Sequence, residues 1–341
     1  MGKLINLNRK LNFDEVLIIP SASDINSRND INLINSYKLP ISGINWTGIP
    51  IIASNMDYVG TLDMANILQE KKLLTALTKF HKQSDLINAL NNKVDINYAL
   101  PTFGIDTPKN IINFISNLII ESNTKNLIVV FDIANGYIKT FHKLIKEIRK
   151  ELPKLGIFAG NIVTGEGVKL LADAGVDAVK IGIGSGSVCT TSSITGIGYP
   201  QLSAILDCSE TIKKEGILSI SDGGIKVIGD IAKAYVAGAD FVMIGGLLAG
   251  HTEGNAPTVI KNNVLFHKYH GMSSQDAMEL HYETVPKYRT AEGVSKLIKD
   301  KGNVSTTIEA ILGGLRSTCS YVNAKNIREL SEKGSFIRIT S

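Results

Sequence analysis

What this 341-residue chain has little of narrows its class before any motif is read. Three cysteines, Cys189, Cys208 and Cys319, are too few for a disulfide framework at this length, so a reducing, cytoplasmic setting is the default. No apolar run approaches the ~20 residues of a membrane span, and the start lacks the basic-then-apolar pattern of a secretory signal, so no membrane partner is expected. Met1-Gly2 opens like a myristoylation site, but Asn6 stands where Ser or Thr is required. Nine prolines against 31 glycines and 44% hydrophobic residues argue against a fibrous or disordered chain and for a large α/β core. Charge of one sign is also scarce: the net +4 comes from lysines spread along stretches such as Lys143-Leu-Ile-Lys-Glu-Ile-Arg-Lys150, which reads as solvated surface rather than a nucleic-acid face. The six histidines form no ligand cluster, and His267 with His270 reads as part of a solvated loop.

What is present is a repeated alternation. Eight short apolar runs end in small or polar residues: Ile49–Asn55, Leu74–Lys79, Tyr98–Gly104, Leu127–Asp132, Gly156–Asn161, Ala178–Gly184, Leu218–Asp222 and Phe241–Gly246. Helix-length amphipathic stretches such as Lys109–Glu121 and Gly165–Ala174 separate them, which predicts parallel strands joined by right-handed crossovers. Eight such units predict a TIM (β/α)8 barrel forming a single catalytic domain, with a long C-terminal excursion after the eighth strand. An open doubly wound sheet is the alternative, weakened by the lack of an early G-x-G-x-x-G turn. In a barrel the strand C-termini carry the site, which brings Asp57, Lys79, Asp132, Asn161, Cys189, Asp222 and Gly246 to one rim. Within the 95 residues after Gly246, Leu247–His270 shows few clear elements, Ser273–Tyr282 reads as helical, and a strong apolar period returns at Thr306–Leu315.

The run Lys180-Ile-Gly-Ile-Gly-Ser-Gly-Ser-Val-Cys-Thr-Thr191 joins a strand-like entry to a glycine turn and a cysteine. Glycines at 182, 184 and 186 let the backbone approach a ligand closely, and an ionised Cys189 can attack an electrophilic carbon. A glycine turn with a buried cysteine is the plainer reading of this segment alone. Ser221-Asp-Gly-Gly224 and Gly245-Gly246 close the last two strands, where barrels often bind phosphate through backbone N–H groups. Asp222 suits a ribose diol, because a carboxylate accepts two hydroxyl hydrogen bonds. A nucleotide is the natural candidate. Cys208 sits in an apolar helical pattern and reads as core.

Several motifs in order then carry a resemblance: Asn12-Phe-Asp-Glu-Val16, the cysteine loop, Asp222-Gly-Gly, Gly245-Gly, Gly271-Met-Ser-Ser274, Arg289-Thr-Ala-Glu-Gly293 and Gly313-Gly-Leu-Arg-Ser-Thr-Cys319. Together they resemble the IMP dehydrogenase/GMP reductase family over nearly the whole chain. Ser-Val-Cys-Thr-Thr, Gly-Met-Ser-Ser and Arg-Ser-Thr-Cys are similar to its reductase branch, and no regulatory cystathionine-β-synthase-type pair interrupts the chain after the second strand. The resemblance implies an NADPH-dependent conversion of GMP to IMP and ammonia through a covalent Cys189 thioimidate, with Thr191 and Glu292 as the proton relay. It implies that Ser187, Gly223, Gly224, Gly245 and Gly246 hold the phosphate, Asp222 the ribose, and Gly271, Met272, Ser273, Arg289 and Gly293 the purine. Cofactor contacts are implied for Lys79, Asp132, Ile133, Ala134, Ile183, Gly184 and Arg289, and for a turn of Ser317, Thr318, Cys319 and Ser320. Ser27 and Arg28 resemble a pair lent by a neighbouring subunit to the NADPH adenosine end, which implies a homotetramer. Carbonyls of Gly184, Gly186 and Cys189 are implied ligands of a monovalent cation, potassium. An IMP dehydrogenase without its regulatory domain and a catalytically inactive nucleotide-binding barrel remain as alternatives. The chain departs from the family pattern at Ser192, where a basic residue is usual, at Ser185, where proline is usual, and at Phe80, where histidine is expected.

Overall fold

The computed structural model of the chain describes residues 9–124, 126–282 and 290–339. Eight parallel strand positions carry the fold: β1 (Ile51–Ala53), β2 (Leu74–Ala76), β3 (Ala99–Leu100 continued by Thr102–Phe103), β4 (Ile128–Asp132), β5 (Gly156–Ile162), β6 (Ala178–Ile181), β7 (Leu218–Asp222) and β8 (Phe241–Ile244). All eight apolar runs expected to be strands are strands. β3 is interrupted at Pro101, which has no N–H to donate to a ladder. Its first half pairs with β2 and its second with β4, and the carbonyls on either side stay engaged, with Leu77 N donating to Leu100 O and Val130 N to Pro101 O, both at 2.9 Å. β8 pairs with β1 through Val242↔Ile51 to Ile244↔Ala53, so the sheet closes into a barrel.

Strand alternation explains where the core sits. Ile52, Leu74, Leu100, Val130, Phe158, Ile220 and Met243 fill the barrel interior, while their neighbours Ile51, Val129, Ile157, Val179 and Val242 face the helices. The helical layer is α1 (Leu62–Leu68), α2 (Gln83–Asn92), α3 (Pro108–Ser122), α4 (Lys139–Glu151), α5 (Gly165–Ala172), then, past α6 (Thr191–Thr195), a short helix without buried residues in the loop after β6, α7 (Gln201–Glu215) and α8 (Ile228–Val236), and it is completed by the later helix Val304–Tyr321, which packs on α8 and α1. In α3 the start is set by Thr107, whose hydroxyl accepts from Asn110 N, and by Pro108 at the first helical position. Its Ile111, Ile115 and Leu118 recur on one face, each contributing about 2 kcal/mol by burial, and left-handed Asn123 ends it. Trp46 and Tyr37, from the ribbon Asn35–Lys38 and Asn45–Gly48, pack on Phe241 and cover the barrel floor.

The C-terminal excursion differs from expectation in three places. Leu247–His270 is not poor in structure: β9 (Thr258–Lys261), β10 (Val264–His270) and β11 (Ser295–Lys299) form an antiparallel sheet over the rim. The sequence signal for it is Asn262-Asn263, both at positive φ (50° and 59°), a two-residue hairpin turn that asparagine tolerates. His267 and His270 lie in β10 and are buried, at 5% and 4% exposure, rather than in a solvated loop, because the sheet presses them against the barrel. Residues 317–320 form no turn: α9 (Gln275–His281) is followed by α10 (Val304–Tyr321), in which the Ser317, Thr318 and Ser320 hydroxyls bond back to carbonyls of the same helix and Cys319 is fully buried. Cys208 is core, as expected.

Candidate active site

A cavity of about 810 Å³ opens at the C-terminal ends of the strands, large enough for a nucleotide and part of a second ligand. Its wall includes Lys79, Asp132, Asn161, Cys189, Asp222 and Gly246, which the alternation of strands and loops had brought to this rim. The Asp57 side chain turns elsewhere, toward His270 and His281.

Cys189 is held by its loop from two sides. The turn leaves β6 through Gly182, at φ +150°, where a Cβ would stand 1.9 Å from the Asp222 carbonyl, so only glycine lets β6 and β7 approach this closely. Beyond it, Cys189 N donates to Gly186 O at 3.1 Å, and Cys189 bridges Gly293 in antiparallel fashion. Thr190 N donates to Glu292 O at 2.9 Å and Val294 N to Val188 O at 3.0 Å. Glu292 N in turn donates to Ser273 O at 2.9 Å, so three segments distant in sequence are laced together.

This lacing aligns a chain of exchangeable protons. The Cys189 thiol donates to Thr191 Oγ1 at 3.3 Å, and the Thr191 hydroxyl donates to Glu292 Oε2 at 2.9 Å. All three line the cavity and are half-buried, which permits proton exchange with a bound ligand.

A buried ion cluster sits deeper. Lys180 points into the barrel, 1% exposed, between Asp132 Oδ1 and Asp222 Oδ2, the latter at 3.2 Å. Asn55 Nδ2 donates to Asp132 Oδ2 at 3.0 Å, and Asn161 Nδ2 to Asp222 Oδ2 at 2.8 Å and to Gly182 O. Burial by itself lowers the Lys180 pKa, but the two carboxylates outweigh it and hold the ammonium above its ordinary range. Burial likewise opposes ionisation of Asp132, and Lys180 outweighs it, holding that carboxyl below its ordinary range. The result leaves one Asp222 oxygen, Oδ1, without a protein donor among the described residues, and Asn161 Oδ1 buried with no partner among them. Both oxygens accept hydrogen bonds. Lys180 and Asn55 had not been singled out as site residues. A lysine in the middle of an apolar strand, Ala178-Val-Lys-Ile181, was the available signal.

The glycine ends of β7 and β8 both meet the cysteine loop. A Cβ at Gly246 would lie 2.9 Å from the Ser187 hydroxyl, and one at Gly245 would meet Ser54, Met56 and Tyr269. Gly223 and Gly224 both have positive φ, and Gly224 N already donates to Ser185 O at 3.1 Å. Ser185 itself donates to Gln201 Oε1 at 2.8 Å, a side-chain tether for the turn where a proline ring is usual. Gly271, Met272 and Ser273 line the cavity beside Glu292, and Gly293 lies on the Cys189 backbone.

Ile133, Ala134, Ile183 and Gly184 share the cavity with Lys79 and Asp132. Ser27 and Arg28 do not. They form an exposed turn before the barrel, where the Ser27 hydroxyl accepts from Asn29 N, and that turn lies against α10, which carries Ser317, Thr318, Cys319 and Ser320. The cavity lining includes none of these six residues. Arg289 lies outside the described residues. Among the described residues, no helix is long and apolar enough to cross a membrane.

Comparison with known proteins gives this geometry a context. The model of the IMP dehydrogenase / GMP reductase domain matches residues 10–341. The chain is 43% identical over 338 residues to the GMP reductase of Photobacterium profundum, covering 98% of this chain and 96% of that one. It is 42% identical to the GMP reductase of Onchocerca volvulus over 339 residues, covering 97% and 91%. It is also 42% identical to that of Buchnera aphidicola over 333 residues, covering 97% and 95%.

Proposed function

This chain belongs to the IMP dehydrogenase/GMP reductase family, and we propose that within it the chain converts GMP to IMP and ammonia with NADPH as reductant. The observation that carries this reading is the unbroken path Cys189 Sγ, Thr191 Oγ1, Glu292 Oε2 at the mouth of a nucleotide-sized cavity. Curated relatives at about 43% identity over nearly the full length bear the name GMP reductase, which supports the direction of the reaction.

Direct hydride attack on C2 of an electron-rich guanine is slow, so the cysteine divides the work. The Cys189 proton passes to Thr191 and on toward Glu292, and the thiolate adds to C2. The relay then delivers protons to the departing 2-amino group, which leaves as ammonia. The remaining carbon, bonded to sulfur and flanked by ring nitrogens, is an electrophilic thioimidate. NADPH, when bound, supplies the hydride to that carbon. Re-formation of the C2–N double bond expels the thiolate and leaves IMP.

Ser187 and the glycine ends of β7 and β8 are assigned to the phosphate, Asp222 to the ribose through its free Oδ1, and Gly271, Met272, Ser273, Gly293 and Arg289 to the purine. Lys79, Asp132, Ile133, Ala134, Ile183 and Gly184 are assigned to the reductant, and the cavity's size and the exposed Lys79 ammonium in its lining fit a phosphorylated ligand. Arg28 and Ser27, in a turn against α10, and Ser317–Ser320, within α10, all lie away from this cavity, which supports a complete cofactor site made by two copies in a homotetramer. A monovalent cation, potassium, is assigned to the carbonyls of Gly184, Gly186 and Cys189, which are oxygen donors of the kind such an ion takes. It would stiffen the cysteine loop.

The test is purified protein with GMP and NADPH, following loss of reductant absorbance and release of ammonia in equal amounts. Turnover of IMP with NAD and none of GMP would assign the dehydrogenase direction instead. GMP binding without turnover in either direction would leave a nucleotide-binding barrel.

A further inference from the structure

We propose that Asp57, with His270 and His281, is a positioning clasp that holds Lys79 over the reductant half of the cavity. This deepens the functional reading above, since it rests on Lys79 as a cofactor contact. The three side chains come from separate places: Asp57 follows β1, His270 ends β10 and His281 ends α9. Both imidazole Nε2 atoms meet the same carboxylate oxygen, Asp57 Oδ2, at 2.7 and 2.8 Å, and the Thr78 hydroxyl donates to Oδ1 at 3.2 Å. A carboxylate only accepts, so both rings must present Nε2–H, and this fixes both tautomers. Side-chain exposures of 6% for Asp57, 5% for His270 and 14% for His281 keep water from competing. Burial opposes ionisation of Asp57, but His270 and then His281 outweigh it, so the carboxyl stays below its ordinary range.

What the clasp carries is an aromatic shelf. His281 and Phe80 stack face to face, centroids 3.4 Å apart and planes 6° from parallel, and the Lys79 ammonium lies 5.4 Å from the Phe80 ring centre. Lys79 makes no hydrogen bond or ion pair among the described residues, so the Phe80 ring beside it and the more distant charge of Asp132 are what act on its head. Lys79, Phe80 and His81 line the cavity opposite Gly104, where a Cβ would lie 3.8 to 3.9 Å from the end of the lysine chain. Phe80 stands where the family pattern has histidine, and here it is the partner His281 stacks on. A flexible lysine loses rotamer freedom on binding a ligand, and holding it in place beforehand reduces that loss. The same clasp joins the ends of β10 and α9 to the loops after β1 and β2.

The experiment uses full-length protein carrying Asp57→Asn, His281→Ala or His281→Phe. Trace acetylation without nucleotide, read by peptide mass spectrometry, reports Lys79 against the exposed Lys82. Asp57→Asn and His281→Ala are each expected to raise relative labelling of Lys79 about threefold, and to raise the NADPH KM about fivefold with the GMP KM changed less than about twofold. His281→Phe keeps a flat ring for Phe80 but has no N–H for Asp57, so Lys79 labelling should stay raised; a return to the level of the unsubstituted protein would show that the ring alone suffices and overturn the clasp. Lys79 labelling unchanged in both of the first two variants overturns the proposal, as does an equal rise of both KM values. If Asp57→Asn is not recovered folded, His281→Ala decides alone. Should the unsubstituted protein fail to turn over GMP with NADPH, the functional reading falls, while the labelling result still decides the clasp.

Discussion

Lys180→Met removes the one cation between Asp132 and Asp222 while roughly keeping the volume of the side chain, so its effect isolates the charge. The gross attraction is large: at an effective dielectric of about 20, the 3.2 Å contact with Asp222 alone amounts to about 5 kcal/mol. Most of this offsets the cost of taking the ammonium out of water. Breaking a buried pair from one side costs about 3–5 kcal/mol, and the 27% and 20% exposure of the carboxylates brings the expectation to about 3 kcal/mol. That corresponds to roughly two decades in the unfolding constant and about 4 °C in Tm for a chain of this length. Protonation supplies a second signature. Lys180 has a raised pKa, so its contribution is fully present below about 10.5 and is lost as pH rises through the folded value. Asp132 has a lowered one, so its contribution is present above about 3.8 and is lost as pH falls through the folded value. Between these limits the intact cluster adds no pH dependence. In the variant Asp132 loses the counter-charge that keeps its carboxyl ionised and takes up a proton more readily, so the deficit should shrink as pH falls from 8.5 to 5.5. Urea denaturation at both pH values and at 7.5 measures this. A deficit below about 1 kcal/mol at pH 7.5, or the same deficit at 5.5 and 8.5, refutes the reasoning.

Three further predictions address the chemistry. Cys189→Ser should retain GMP binding by calorimetry but lose NADPH oxidation, because a hydroxyl fills the place of the thiol yet is a far weaker nucleophile at neutral pH; turnover like that of the unsubstituted protein would remove the covalent step. Glu292→Gln keeps an acceptor for the Thr191 hydroxyl but cannot take its proton, so kcat should fall about 10²–10⁴-fold; a change confined to KM would make Glu292 a binding residue. Arg28→Ala should raise the NADPH KM much more than the NADH KM and leave GMP affinity nearly intact, since a guanidinium pairs with the extra 2′-phosphate. Mixing Arg28→Ala with Cys189→Ser subunits should recover activity if the arginine acts across an interface, and no recovery in verified mixed oligomers would count against it.

The sequence by itself determined the barrel and the composition of its rim, because strands and amphipathic helices write local periods into the chain. The eight apolar runs, the glycines after β6, β7 and β8, and Cys189 were all legible in this way. Even Pro101, inside the third run, did not hide its strand, since both halves keep ladder partners on opposite sides. What remained out of reach depends on contacts without a local period. Lys180 meets Asp132 from 48 positions away, and Asp57 meets His270 and His281 across 213 and 224 positions. Nothing near His267 or His270 marks it as buried, so a loop is the natural reading of the sequence there, and only the folding of β10 back over the rim decides otherwise. Residues 317–320 lacked a helical signal for a related reason: Ser317, Thr318 and Ser320 satisfy their hydroxyls on the helix backbone, and only Cys319 faces the core. Local chemistry therefore decided which elements form and which side chains can react. Tertiary structure decided which charges are paired, which histidines are dry, and which way each reactive group points, because those energies exist only once distant segments exclude water between them.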